Sequence, residues 1–355
     1  MLAVAHLPCA NGPWRQNATN FGRNAMTDFT RRSLLTGAAA AATLAPVARQ
    51  PAQAAAPLAG KQAAGVYRYK VGTHEITVVT DGMNQVPLPD TLVTNVKKDD
   101  VKAMLAASHL DPETFYNPYS PIVINTGSKL VLIDTGNSEA AYKRTNGAIG
   151  QLLTNLAAAG IDAKAIDTVV ISHYHGDHVN GLLRADNSLA FPNAEILVPA
   201  EEHKFWMDDG QMSRASKGRM EDLFKNNRRV FSGDVLKRLR TYDWDKEVAP
   251  GITAVATPGH SWAHTSFVVA SGTGKVFVQS DVTHVPFLFA RNPGWHAAVD
   301  QDGPKAETTR RRVYDMLVAD NMSVQGFHYP FPGLAHVEKA GDGYRVIPAL
   351  WSPTI

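Results

Sequence analysis

Cysteine is almost missing: of 355 residues only Cys9 carries a thiol. It lies in a stretch expected to be removed, so the mature chain should hold no disulfide, no thiolate ligand and no cysteine nucleophile. Any metal chemistry must then rest on histidine and carboxylate. Charge of one sign is also scarce. The formal net charge is +2, and the excess sits at the front, where residues 1–54 hold five Arg and one Asp. The remainder carries 30 basic against 32 acidic residues. That balance supplies no electrostatic footprint for nucleic acid and no polybasic patch for a membrane surface. There is no internal repeat of short period and no Pro/Ser/Gly linker beyond the front, so residues 60–355 read as one domain.

The front has its own character. Arg31-Arg32 is followed by the Ala-rich, weakly apolar stretch 36–46, then by small residues at 51–55. This is the pattern of a twin-arginine export signal, with cleavage near Ala54 or Ala55. The stretch is too short and too rich in Ala to cross about 20 residues of hydrocarbon, which argues against a membrane anchor. Residues 1–55 are therefore expected to be an N-terminal extension plus signal, with Met1 or Met26 as the initiator. The expected partner is the twin-arginine export machinery, and the expected location is the periplasm or outside the cell.

Apolar, β-branched runs recur beyond residue 60. Residues 75–80, 122–125, 129–133, 168–171, 194–198, 252–256, 266–270 and 275–279 read as strands. Thr126-Gly127-Ser128 reads as a hairpin turn between the second and third of these. Helical spacing appears at 152–160, 201–206 and 308–317. Strands first in pairs and then alternating with helices predict an α/β fold: two mixed β-sheets with helices on their outer faces, an αββα sandwich.

The densest chemistry is Ser172-His-Tyr-His-Gly-Asp-His178, which puts His173, His175, Asp177 and His178 directly after a predicted strand. Core packing asks for no such cluster, and imidazole with carboxylate suits zinc, iron, manganese or cobalt. In extended backbone His173 and His175 project to one side. Gly176 allows a sharp turn, after which Asp177 and His178 can face a second ion. His260, Asp281 and His328 follow other apolar runs and complete a set of seven. The reading is two divalent ions, zinc first among them. One would be held by His173, His175 and His260, the other by Asp177, His178 and His328, with Asp281 between them. His264 is read as backing the ligands or packing in the core, and His336 and His284 are spare histidines. Asp134, after the predicted strand 129–133, could accept the free N–H of a ligating imidazole. A water between two cations loses its proton near neutral pH, so no serine nucleophile is needed. Asp177 and Asp281 could also move protons.

Asp134-Thr-Gly136, the 173–178 motif, Thr257-Pro-Gly-His260, Asp281 and His328 resemble, in order, the motifs of the metallo-β-lactamase superfamily, over about residues 70–350. The resemblance implies an αββα sandwich with a dinuclear site at one sheet edge. Residues 125–136, 191–194, Phe205-Trp206 and 331–336 are similar to the methyl parathion hydrolase group and its related periplasmic lactonases and aryl esterases. It implies a metal-dependent hydrolase of lactones, esters or phosphotriesters, and suggests a homodimer. By the same resemblance Trp206 would line an aromatic substrate pocket. Trp262, close to His260 in sequence, would join it, although Ser261-Trp262-Ala263 departs from the group's Thr-Pro-Gly. A β-lactamase, or a non-catalytic periplasmic metal-binding protein, is the alternative.

Overall fold

The computed structural model describes residues 58–60 and 62–355. The twin-arginine stretch and Cys9 lie outside them. Two seven-stranded sheets face each other. The first runs Val66–Val71, His74–Val79, Ile122–Asn125, Leu130–Ile133, Thr168–Val170, Glu195–Pro199, Leu239–Tyr242 in spatial order. The second runs Glu247–Ala249, Ile252–Ala256, Thr265–Ser271, Gly274–Ser280, Ser323–Gly326, Leu334–Ala340, Gly343–Pro348. Among the described residues no helix is long and apolar enough to cross a membrane.

The period-2 alternation of side chains places the layers. Val131 and Ile133 join Ile76, Ile124, Phe267, Val276 and Val278 in the core between the sheets. Leu132 points the other way, into the layer formed with Leu156, Trp206 and Phe224 from the outer helices Leu152–Ala158, Ala200–Met207 and Arg219–Val230. On the far side Phe277 and Val324 pack against Val313, Tyr314 and Leu317 of the helix Gly303–Ala319. The predicted αββα sandwich is what forms. The hairpin at Gly127 forms too, with its φ at +86° and the flanking strands antiparallel.

Strand direction positions the site. Leu130–Ile133, Thr168–Val170 and Glu195–Pro199 are parallel neighbours, as are Gly274–Ser280 and Ser323–Gly326. Two antiparallel steps, through Thr265–Ser271, give Ile252–Ala256 the same direction as Gly274–Ser280. The loops after these strands therefore gather at one edge of the sandwich. Eight strands were not anticipated, among them Val66–Val71 and Leu334–Ala340, whose half-buried patterns are interrupted by charge.

A buried carboxylate braces that edge. Asp81 accepts the N–H groups of Asn137 (2.7 Å), Leu152 (2.9 Å) and Gly150 (3.3 Å). Gly136 lies against it with φ +67°, where a Cβ would stand 2.5 Å from the Asp81 Cγ. Gly136→Ala is expected to cost about 3 kcal/mol through backbone strain and the clash together. Urea unfolding of the variant beside the parent checks this, and an unchanged midpoint contradicts it.

Candidate metal centre

Five strands deliver the site. Asp134 follows Leu130–Ile133, and His173 stands three residues past Thr168–Val170. His260 is in the loop after Ile252–Ala256, Asp281 follows Gly274–Ser280, and His328 is two residues past Ser323–Gly326. His175 caps the short helix Gly176–Val179 with extended backbone, and Asp177 and His178 lie in that helix. All seven residues singled out from the sequence come together, and six of them are fully buried, with Asp177 part-exposed to the cavity.

Two clusters result. In one, His175 Nδ1 is 3.1 Å from His173 Nε2 and 2.7 Å from His260 Nε2, and the last two are 3.2 Å apart. In the other, Asp177 Oδ2 lies 3.7 Å from His178 Nε2 and 3.4 Å from His328 Nε2. Asp281 reaches both: its Oδ2 is 3.3 Å from His260 Nε2 and 3.0 Å from His328 Nε2, and its Oδ1 is 3.3 Å from His178 Nε2.

The far nitrogens explain why these faces converge. His178 Nδ1 meets Asp134 Oδ2 at 2.8 Å, and His260 Nδ1 meets Asp300 Oδ1 at 2.9 Å. His328 Nδ1 meets the Pro118 carbonyl at 2.8 Å. His173 Nδ1 meets Ser172 Oγ at 3.0 Å, and that hydroxyl donates to Asp134 Oδ2. Each acceptor keeps a proton on Nδ1 and leaves the Nε2 lone pair aimed at the common centre. Lone pairs this close repel unless a cation lies among them. Tetrahedral zinc with bonds of 2.0–2.1 Å sets ligand atoms roughly 3.3 Å apart, close to the spacings here. His178 Nε2 and Asp281 Oδ1 are buried without a hydrogen-bond partner, as atoms reserved for an ion would be. The residues fit two divalent metals.

Electrostatics divides the imidazoles. Burial, reinforced by neighbouring imidazoles, holds His173, His175 and His260 well below the usual histidine range. Burial also opposes charge on His178, but Asp281, Asp134 and Asp177 outweigh it and push that pKa well up. His328 is raised by Asp281 and Asp177 against the same desolvation. Desolvation resists charge on Asp281 as well, yet His328 and His178 pull it well below the carboxylate range.

Several other sequence readings change or sharpen here. Asp134 takes the place expected of it, with φ +59°, and also accepts the Ser172 N–H at 2.8 Å. His264 uses both nitrogens elsewhere: Nδ1 lies 2.9 Å from Thr257 Oγ1, and Nε2 accepts the Asp281 N–H at 3.0 Å. It backs Asp281 and leaves no lone pair for an ion. His336 is exposed on the strand Leu334–Ala340, bonded to Ser323. The two tryptophans are corrections. Trp206 is fully buried, packed on Phe224 with its indole N–H on Glu202, because its helix turns that face into the core. Trp262 is 56% exposed and stacks on Phe205 outside the cavity. Neither lines the metal cavity.

Two residues were missed. His284, passed over as a spare, groups with His260 and Asp281, its Nε2 3.5 Å from Asp281 Oδ2. Asp300 was not singled out at all; it also accepts from the buried Arg310 at 3.4 Å. It lies in a loop with no strand pattern before it, so nothing local marks it. The cavity above the site measures about 340 Å³, with apolar walls from Leu92, Phe115, Leu223, Phe289 and Val299.

The family model described as the metallo-beta-lactamase superfamily matches residues 117–313. The chain belongs to that superfamily. Its similarity to the human metallo-beta-lactamase domain-containing protein 1 is 28% identity over 206 residues, 57% of this chain and 59% of that protein. So it spans well under two thirds of that relative. It is 26% identical over 194 residues to an N-acyl homoserine lactonase of Bacillus thuringiensis, covering 50% and 69% of the two chains. Among solved structures, the hydrolase AbOPH is similar with TM-score 0.75 and 26% identity, covering 82% of this chain and all of that one. AidC, a dizinc quorum-quenching lactonase solved with a product, shares the fold at TM-score 0.75 and 24% identity, over 81% and 99% of the two chains.

A superfamily member with this charge pattern should release protons when it takes up zinc. Carboxylate neighbours favour the protonated forms of His178 and His328 against the cost of burial, and zinc must displace a proton wherever one sits on a ligating nitrogen. Affinity should fall as pH falls, by about tenfold per pH unit for each proton displaced. Calorimetry in two buffers of different ionisation enthalpy measures this, and heats independent of buffer contradict it.

Proposed function

We propose that this protein is a dinuclear-metal hydrolase of lactones and esters, and that organophosphate triesters are further substrates of the same site. The carrying observation is the convergence of four Nδ1-anchored imidazoles, His175 and two carboxylates on one buried centre beneath an apolar cavity. Support also comes from the lactonases among its similar proteins and from the likeness to the methyl parathion hydrolase group at residues 125–136 and 331–336.

His173, His175 and His260 would hold one cation, Asp177, His178 and His328 the other, with Asp281 shared. Bound there, two divalent cations, zinc foremost, supply a water acidic enough to react near neutral pH and polarise the carbonyl or phosphoryl oxygen. The chain's own part is orientation. Asp134, Asp300, Ser172 and the Pro118 carbonyl fix the imidazole rings. Asp177, which lines the cavity, would carry a proton to the departing oxygen, while the more enclosed Asp281 stays an anion between the clusters. The apolar wall excludes water and accepts an acyl chain or aromatic leaving group. Tyr329 takes no part, since its hydroxyl is buried against Tyr314. Residues 1–55 are read as an N-terminal extension plus the signal that exports the protein by the twin-arginine route.

Metal analysis of the purified protein should find close to two ions per chain. His173→Ala should lower hydrolysis by more than the roughly 10–100-fold that loss of an outer partner costs. A panel of an acyl-homoserine lactone, dihydrocoumarin, p-nitrophenyl acetate, methyl paraoxon and nitrocefin separates the substrate classes. Turnover of the lactone and ester supports the reading; nitrocefin as the sole substrate would replace it with β-lactam hydrolysis.

Trp262→Ala should leave KM for p-nitrophenyl acetate within about twofold, because an exposed ring outside the cavity shields little substrate. A tenfold rise would return this residue to the pocket.

A further inference from the structure

Glu202 stands fully buried in the helix Ala200–Met207, with no lysine or arginine paired to it among the described residues. Its carboxylate accepts three neutral donors. Oε1 takes the Tyr174 N–H at 3.3 Å and the Trp206 indole N–H at 2.9 Å; Oε2 takes the Ala263 N–H at 2.7 Å. Tyr174 is the residue between His173 and His175, and Ala263 lies three residues beyond His260. One carboxylate thus ties together the loops that bring the first cluster's three imidazoles from two different sheets.

A buried anion without a counter-charge is costly, and an amide or a well-packed apolar side chain would be cheaper if only packing mattered. The call for positive charge lies at the first cluster, where three imidazole nitrogens stand within 3.2 Å of one another. We propose that Glu202 is a positioning residue for the cation held by His173, His175 and His260: it sets the spacing of the two loops, and its charge is balanced by that cation. This rests on the two-cation reading above. It also gives Trp206 a place, as the donor that orients Glu202 from one helical turn away.

The test is zinc binding by the full mature chain, measured by competition with a chromophoric chelator, with no substrate present. Glu202→Gln keeps the volume but turns an N–H toward the Ala263 N–H. In the His178→Ala background, where the first cluster holds the remaining zinc, the substitution should weaken binding by roughly tenfold or more. In the His175→Ala background the remaining zinc should be held within about twofold of its former affinity. Thermal unfolding should show a smaller zinc-induced rise in Tm for Glu202→Gln than for the parent. Equal effects in both backgrounds, or an unchanged zinc-induced rise, would reduce Glu202 to a packing residue and overturn the proposal. If the Gln variant does not fold, Trp206→Phe removes one donor and should give a loss of about threefold confined to the first cluster; no loss there overturns it as well. A parent chain that binds no zinc would bring down the two-cation reading itself, whereas two tight ions untouched by Glu202→Gln would bring down only the clamp.

Discussion

Everything at the centre of this molecule depends on lone pairs held against their mutual repulsion. Four imidazoles have their outer nitrogens tied to acceptors, Asp134, Asp300, Ser172 and the Pro118 carbonyl. Their inner nitrogens then have no choice but to face inward. In a buried, low-dielectric pocket that arrangement is unfavourable for a metal-free protein and favourable for one that binds divalent ions. The cost of assembling the site is met by the fold, and the return comes only on metal binding.

The fold can meet that cost because the site sits where several strands end. Each strand is locked by its ladder and by apolar layers on both faces, so the residue after its last hydrogen bond is placed to within the stiffness of the sheet. Positive φ at Asp134 (+59°) and Ser280 (+50°) shows the backbone turning sharply just there. Around this frame lies a set of buried carboxylates with separate duties. Asp134 and Asp300 orient rings, Asp81 gathers backbone N–H groups of the segment 137–152, and Glu202 joins two loops. A network of this kind is rigid when fully satisfied, which keeps the converging side chains at fixed spacing.

The cavity wall has a different origin. Leu92, Phe115 and Phe289 belong to a satellite cluster formed by the segments around 88–115 and 285–299, outside the two-sheet core. Such segments can vary without disturbing the ligand frame. Fold likeness alone therefore does not select a substrate.

The sequence by itself determined the sandwich class, the eight strands with β-branched runs, and the seven residues that converge on one buried centre. Those signals are local: a run of valines reads the same in any context, and three histidines with an aspartate in six residues serve no packing purpose. Only the tertiary structure decided the rest. His264 and His260 are four residues apart, yet one backs Asp281 and the other turns its Nε2 toward His173 and His175. Trp206 and Trp262 looked alike as pocket residues, and one proved buried on Glu202 and the other stacked on the surface. Asp300 had no mark at all, since its meaning lies in a ring nitrogen forty residues away. Sequence specifies which groups are present; which way each side chain points is set by the layers packed around it, and at this site direction is the chemistry.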